Sequence, residues 1–190
     1  MYPRILSITQ LVKHRSLFLL GPRQTGKSTL LRHTYPKARY VDLLEANTFR
    51  ELSAYHETLR QSLRPAEKLI VIAEVRKLPS LPDEAQVLIG RDKTLRFIFT
   101  GSSARKLRRG RANLLVGRAW FCRLHPLVSK EVNYEALDRG LNVGSLPAVL
   151  DSPDPVEDLK AYVGASFCFR QMALAAYNRL TIQKAPPGSM

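Results

Sequence analysis

The octapeptide Gly21-Pro22-Arg23-Gln24-Thr25-Gly26-Lys27-Ser28 has the residue types and the G-x-x-x-x-G-K-[ST] spacing that wrap a chain of phosphates. Its glycines permit a tight turn and a close backbone approach. Successive N–H groups and a helix N-terminus then face the β- and γ-phosphates, and Lys27 adds a mobile positive charge. Ser28 is placed to coordinate Mg²⁺ directly. A plain glycine turn between a strand and a helix is the alternative, but it does not call for the Lys-Ser pair. A second stretch bears on the same chemistry. Leu69-Ile70-Val71-Ile72 is a continuous apolar run that passes into Ala73-Glu74. Where phosphate is transferred to water, a strand of this type normally ends in two carboxylates, the first holding the water shell of the metal and the second polarising the attacking water. Here a methyl group stands in the first place.

These groups need elements to hold them. Ser16 to Leu20 (SLFLL) is an apolar run ending at Gly21, which suits a strand buried on both faces. From Lys27 the chain can wind as a helix until Pro36 biases Tyr35 away from helical geometry. Arg39 to Leu44 reads as a second strand, and Glu45 to Arg64 as a surface helix ending before Pro65. The strand before Glu74 is the third. Ser80-Leu81-Pro82-Asp83 resembles a capping box opening a further helix, Leu95 to Thr100 is a fourth strand, and Ala119 to Leu124 a fifth. Strands alternating with helices predict an α/β fold, with right-handed crossovers, a parallel sheet and helices on both faces. After about Leu124 the pattern weakens. Asp151 to Asp158 reads as a linker entering a helix, with Asp154 as N-cap and Pro155 at the first helical position.

Composition narrows the class of partner. The 190 residues hold 30 Lys and Arg against 16 Asp and Glu, a net charge of +14. No acidic residue precedes Asp42, and none lies between Asp92 and Glu131. A field of this sign attracts polyanions: nucleotide phosphates, nucleic acid and anionic membrane surfaces. Cys122 and Cys168 have no metal-like spacing, which favours a reducing compartment. Lys13, His14 and Arg15 interrupt the apolar N-terminal stretch, so it makes a poor signal peptide, and no apolar run approaches membrane-spanning length. A cytoplasmic protein is the expectation. An N-K-x-D element, expected for guanine specificity, and an L-S-G-G-Q-like transport signature are both absent from the sequence, so ATP is the expected nucleotide.

Taken together, GPRQTGKSTLL, YVDLLEAN, IAEVRKLPSL, FIFTGSSARKLRRGRANLLVGRAW and LHPLVSKE resemble the prokaryotic AAA-superfamily ATPases. Those proteins carry an N-terminal ATPase core and a C-terminal domain of unknown function. The resemblance covers about Met1 to Val163. It implies a P-loop three-layer α/β/α fold with five parallel strands in the order 5-1-4-3-2, an ATPase core over 1–125, the start of a second domain over 126–163, and a divergent, frayed tail over 164–190. By position, Gly21 to Thr29 become the Walker A loop and Glu74 the Walker B glutamate. Thr100-Gly101-Ser102-Ser103 falls where the family has sensor-like polar residues, with Ser102 as the catalytic candidate; a serine-rich turn capping the next helix is the bland alternative. Arg118, in LLVGRAW, becomes a candidate to neutralise phosphoryl charge in its own or a neighbouring subunit, which would require a homo-oligomer in the second case.

This chain departs from the family's pattern at three places. Ala73 replaces aspartate, Arg76 replaces the usual glutamine, and GASFCFRQMALAAYNRLTIQKAPPGSM does not continue the second domain, so a truncation or frameshift after about Gly164 is expected. Loss of the carboxylate at position 73 leaves Mg²⁺ to Ser28, the phosphates and solvent. Phosphate cradling survives, so the expectation is ATP binding with slow or absent hydrolysis. Glu74 is not expected to replace its neighbour, because adjacent side chains on a strand point to opposite faces. Two other readings stand beside this one. Arg105, Lys106, Arg108, Arg109 and Arg111, with Arg118 and Arg123, could contact nucleic-acid phosphates, nucleotide acting only as a regulator; or the chain is a defective gene product with no selected role. Trp120 and Phe121, at strand spacing, are expected to pack in the core rather than stack on bases.

Overall fold

Burial on both faces is what an apolar run such as SLFLL requires, and the sheet supplies it. The computed structural model describes residues 2–102 and 117–164. It places β1 (Ser16–Leu20), β2 (Arg39–Asp42), β3 (Leu69–Ala73), β4 (Arg96–Gly101) and β5 (Ala119–Arg123) in one sheet. The strand order is β2-β3-β4-β1-β5 with every pair parallel, which is the predicted 5-1-4-3-2 read from the other edge. All five residues of β1 are buried, as befits a central strand flanked by β4 and β5.

Alternation along the strands sorts their side chains between two helical layers. Phe18, Leu20, Val41, Ile70, Ile72, Phe97 and Phe99 point to one side, where they meet Leu52 of α3 (Ala46–Ala54), Leu59 of α4 (Thr58–Gln61) and Leu81, Ala85, Leu88 and Ile89 of α5 (Leu81–Arg91). Leu17, Leu19, Val71 and Ile98 point to the other, against Ile8 and Val12 of α1 (Ile8–His14) and Leu30 and Leu31 of α2 (Lys27–Thr34). The result is a three-layer α/β/α sandwich. Phe18 and Phe99 stack with ring centroids 4.7 Å apart at the centre of the first layer; truncating either ring to Ala would cost about 3–5 kcal/mol.

Several local expectations change. No helix was anticipated over Ile8–His14, which precedes β1 and packs its two buried residues beneath the sheet. The helix expected over 45–64 is broken at Tyr55, which adopts extended geometry and separates α3 from α4. β2 stops at Asp42 rather than Leu44, because the Asp42 carboxylate accepts a hydrogen bond from Leu44 N at 2.9 Å and turns the chain. Ser80 does not cap α5: its Oγ lies 2.6 Å from His56 Nε2 instead. Trp120 and Phe121 are not core residues. β5 is an edge strand, and they remain 37% and 43% exposed, with Phe121 stacked on Phe18 at 4.7 Å and Arg15 over the Trp120 ring at 5.9 Å.

The chain divides into two compact units after Asn133. The first closes on a buried pair, Arg4 and Glu131 (3.4 Å), whose carboxylate also accepts hydrogen bonds from Ile5 N at 2.8 Å and Val128 N at 3.2 Å. Burial pulls the Arg4 pKa down, and the charge of Glu131 opposes that shift. In the described part of the second unit, α6 (Tyr134–Val143) and α7 (Pro147–Leu150) are followed by a helix from 155 to 164. Asp154 caps it as expected, its Oδ1 accepting from Glu157 N at 3.2 Å. Among the described residues no helix is long and apolar enough to cross a membrane.

Candidate active site at the carboxyl ends of the strands

In an open parallel sheet, ligands collect beyond the carboxyl ends of the strands, where strand gives way to loop. Here β1 opens into the Gly21–Ser28 loop and α2 follows directly. Gly21 is required for space. A Cβ there would lie 2.1 Å from the backbone oxygen of Leu124, and the loop is held at that point by Gly21 N donating to Gly101 O (3.2 Å). Gly26 is required for conformation. It sits at φ +83° with nothing within 4 Å of a would-be Cβ, and its carbonyl accepts the Leu30 N–H at 2.9 Å to begin α2. Thr25 is fully buried, its hydroxyl donating to Pro22 O at 3.0 Å, while Pro22, Arg23, Gln24, Ser28 and Thr29 face solvent.

Lys27 folds back into the loop. Its Nζ donates to Gly21 O (2.8 Å) and Pro22 O (2.6 Å) and lies 3.5 Å from Thr25 Oγ1, leaving the side chain 9% exposed. Burial lowers its pKa, the charge of Glu74 works the other way, and Arg76 and Arg23 add to the lowering. A buried ammonium whose hydrogen-bond acceptors are all neutral oxygens gains from an incoming anion.

Glu74 stands where β3 ends. It adopts left-handed geometry (φ 53°, ψ 44°), unusual for a residue with a side chain and worth about 1 kcal/mol or more of strain. That turn ends the alternation assumed from the sequence. Its charge is felt at Lys27. Its Oε2 is 2.8 Å from Arg76 Nε, close enough for an ion pair, although the angles are not those of a hydrogen bond and the buried oxygen has no hydrogen-bond partner. Arg76 also donates from an Nη to Ser102 Oγ at 2.8 Å. Glu74, Arg76 and Ser102 therefore form one chain of contacts beside the loop, and Arg76, where the family usually has glutamine, is the link. Thr100, 4% exposed, has its Oγ1 3.4 Å from Glu74 N.

Arg118 is not brought to this site. It immediately precedes β5, whose first residue pairs with Ser16, so it lies at the amino edge of the sheet, opposite the loop that follows Leu20. Its guanidinium donates to Gln86 O on α5 at 3.3 Å. Position near a family-like motif could not reveal this, since only the strand's direction decides which end of the sheet Arg118 occupies. That placement sets it away from the phosphate loop of its own chain. Arg105, Lys106, Arg108, Arg109, Arg111 and Ser103 lie outside the described residues.

Ser28, Asp42 and Thr100, with Arg32, Tyr40 and four apolar residues that include Ala73, line one small cavity of about 30 Å³ beside α2, and the serine, threonine and carboxylate among them are oxygen donors of the kind magnesium takes. Among the described residues no group of three His, Cys, Asp or Glu could hold a metal unaided.

The chain is similar to domain III of the replication initiation protein DnaA from Thermotoga maritima, with 16% identity and a TM-score of 0.45, over 94% of this chain and 82% of that one. It is also similar to the Pif1 helicase from Candida albicans, with 16% identity and a TM-score of 0.37, over 82% of this chain and 46% of that one. A comparison with curated proteins finds no match. The family model described as "AAA domain" matches residues 13–133, from just before β1 to the end of the first unit. With that match covering well over half of the sequence and enclosing the phosphate loop, Glu74 and the five-stranded sheet, this chain belongs to the AAA domain family of P-loop nucleotide-binding proteins.

Proposed function

We propose that this protein binds ATP with Mg²⁺ and hydrolyses it slowly or not at all. The observation that carries the reading is a complete phosphate loop beside a methyl group at Ala73. Gly21 and Gly26 shape the loop, Lys27 exchanges its carbonyl partners for phosphate oxygens, and the N-terminus of α2 faces the same anion. Magnesium held by Ser28 would neutralise charge on the phosphates. Turnover demands more than this, because phosphoryl transfer depends on positioning and charge neutralisation throughout. The aspartate that would organise the ion's water is missing, and Glu74, the group that would polarise the attacking water, is held against Arg76.

Titrating ATP with and without Mg²⁺, and measuring phosphate release by the unaltered chain and by Ala73→Asp, tests the reading. Saturable ATP binding, negligible release by the unaltered chain and about 10–100-fold faster release by the variant are expected, the range that attends loss or gain of a group ordering a metal's shell. Equal, robust rates in both would refute the loss of hydrolysis. The net charge of +14 supports a second reading, contact with nucleic-acid phosphates through the arginines between 105 and 123. Salt-dependent DNA binding that is abolished by charge reversal at Arg108 and Arg109 but indifferent to Lys27→Ala would favour it.

A further inference from the structure

Asp42 is the one carboxylate that shares the face, the level and the cavity of the missing one. In the β2–β3 ladder Asp42 is the direct partner of Ala73, so both side chains leave the sheet on the same side. Val71 and Ile98 mark that side as the one covered by α2, and Thr100 continues it on β4. The methyl of Ala73 leaves a space that Ser28, Asp42 and Thr100 border together. At about 30 Å³ the space admits water, which needs roughly 10–15 Å³ measured in this way.

The carboxylate is also available. One oxygen of Asp42 accepts from Leu44 N, and among the described residues no ion pair occupies the other. The nearest cationic candidate in the cavity, Arg32, places its guanidinium 4.7 Å from the centre of the Tyr40 ring instead. We propose that Asp42 supplies, from the neighbouring strand, the carboxylate that Ala73 lacks, and orders the water shell of a Mg²⁺ ion that enters with the nucleotide on Ser28. A neighbouring strand lies about 4.8 Å away, so the contact runs through water. Magnesium keeps several waters when it binds, and accepts such an arrangement. This assignment retains the ion without restoring the position of the lost aspartate, and it rests on the nucleotide-binding reading above.

The test uses Asp42→Asn in the full chain. Asparagine keeps the size of the side chain and an oxygen for Leu44 N, so the turn after β2 is preserved. Affinity for a non-hydrolysable ATP analogue is measured in EDTA and in Mg²⁺, and Mn²⁺ bound in the presence of the analogue is counted by electron paramagnetic resonance. The unaltered chain is expected to bind more tightly with Mg²⁺. Asp42→Asn should lose about tenfold or more of that gain, with its EDTA affinity unchanged, and Ala73→Asp added to it should restore the gain and the bound Mn²⁺. A full Mg²⁺ gain in Asp42→Asn overturns the assignment, as does failure of the double variant, folded by thermal melting, to recover. Metal-independent binding by the unaltered chain overturns the assignment alone; no binding in either condition overturns the nucleotide reading and the assignment with it.

Discussion

The two glycines of the phosphate loop are required for different reasons, and replacing each by alanine should separate them. At Gly21 the new Cβ meets Leu124 O at 2.1 Å, against a floor of 3.0 Å for such contacts, a shortfall of about 0.9 Å. Neither side gives way easily. Leu124 N is bonded to Leu20 O at 2.7 Å, and Gly21 N to Gly101 O at 3.2 Å, so moving the loop or the end of β5 strains or breaks one of these links. Overpacking costs about 1–3 kcal/mol and each lost hydrogen bond about 1 kcal/mol, so Gly21→Ala should destabilise the fold by about 3 kcal/mol. At Gly26 there is room for a methyl but φ is +83°, and left-handed geometry alone costs alanine about 1 kcal/mol. With about 2–4 °C of melting temperature lost per kcal/mol in a chain of this size, Gly21→Ala should melt about 6–12 °C lower and Gly26→Ala about 2–4 °C lower. Differential scanning calorimetry without nucleotide reads both. Equal shifts, or a larger one for Gly26→Ala, would refute the division of roles.

Arg76 and Lys27 offer two further tests. Arg76→Gln should release Glu74, so that in a chain already carrying Ala73→Asp phosphate release rises by about tenfold, a fraction of the roughly 100-fold or more that a general base contributes in full; unchanged release would mean that the ion pair does not restrain the carboxylate. Lys27 has a folded pKa lowered chiefly by burial. At neutral pH its charge is therefore carried at a cost in the folded chain, and that cost is relieved as pH rises from the folded value towards 10.5, so its contribution to stability grows over that window. Nucleotide affinity should move the opposite way and fall over the same alkaline range, because phosphate needs the ammonium form. Titrations of ATP from neutral to alkaline pH check this, and an affinity that holds flat for the unaltered chain, or that falls equally for Lys27→Arg, whose guanidinium stays charged, would contradict it.

Much of the fold and of the site could be read from the residues alone, for a local reason. The continuous apolar runs of β1 and β3 demand burial on both faces, and the glycine, lysine and serine spacing of the loop encodes its own backbone shape; both survive intact in the sheet. What stayed hidden depends on groups distant in sequence. Alternation says nothing of Glu74's partners, because its left-handed turn ends the strand and its carboxylate lies against Arg76. Arg118, a candidate to neutralise phosphoryl charge in its own or a neighbouring subunit, lies at the opposite edge of the sheet from the loop of its own chain, which only strand direction decides.

From its sequence this chain determines that it carries the G-x-x-x-x-G-K-S spacing of a phosphate loop and a methyl group at position 73, since both are matters of residue type at fixed positions. Tertiary structure alone decides what stands around that gap. Asp42 and Ala73 are thirty-one positions apart, and only the parallel register of β2 on β3 sets them side by side on the face that α2 covers. Side-chain chemistry is written locally, but the neighbours with which it acts are chosen by hydrogen-bonded register between distant segments.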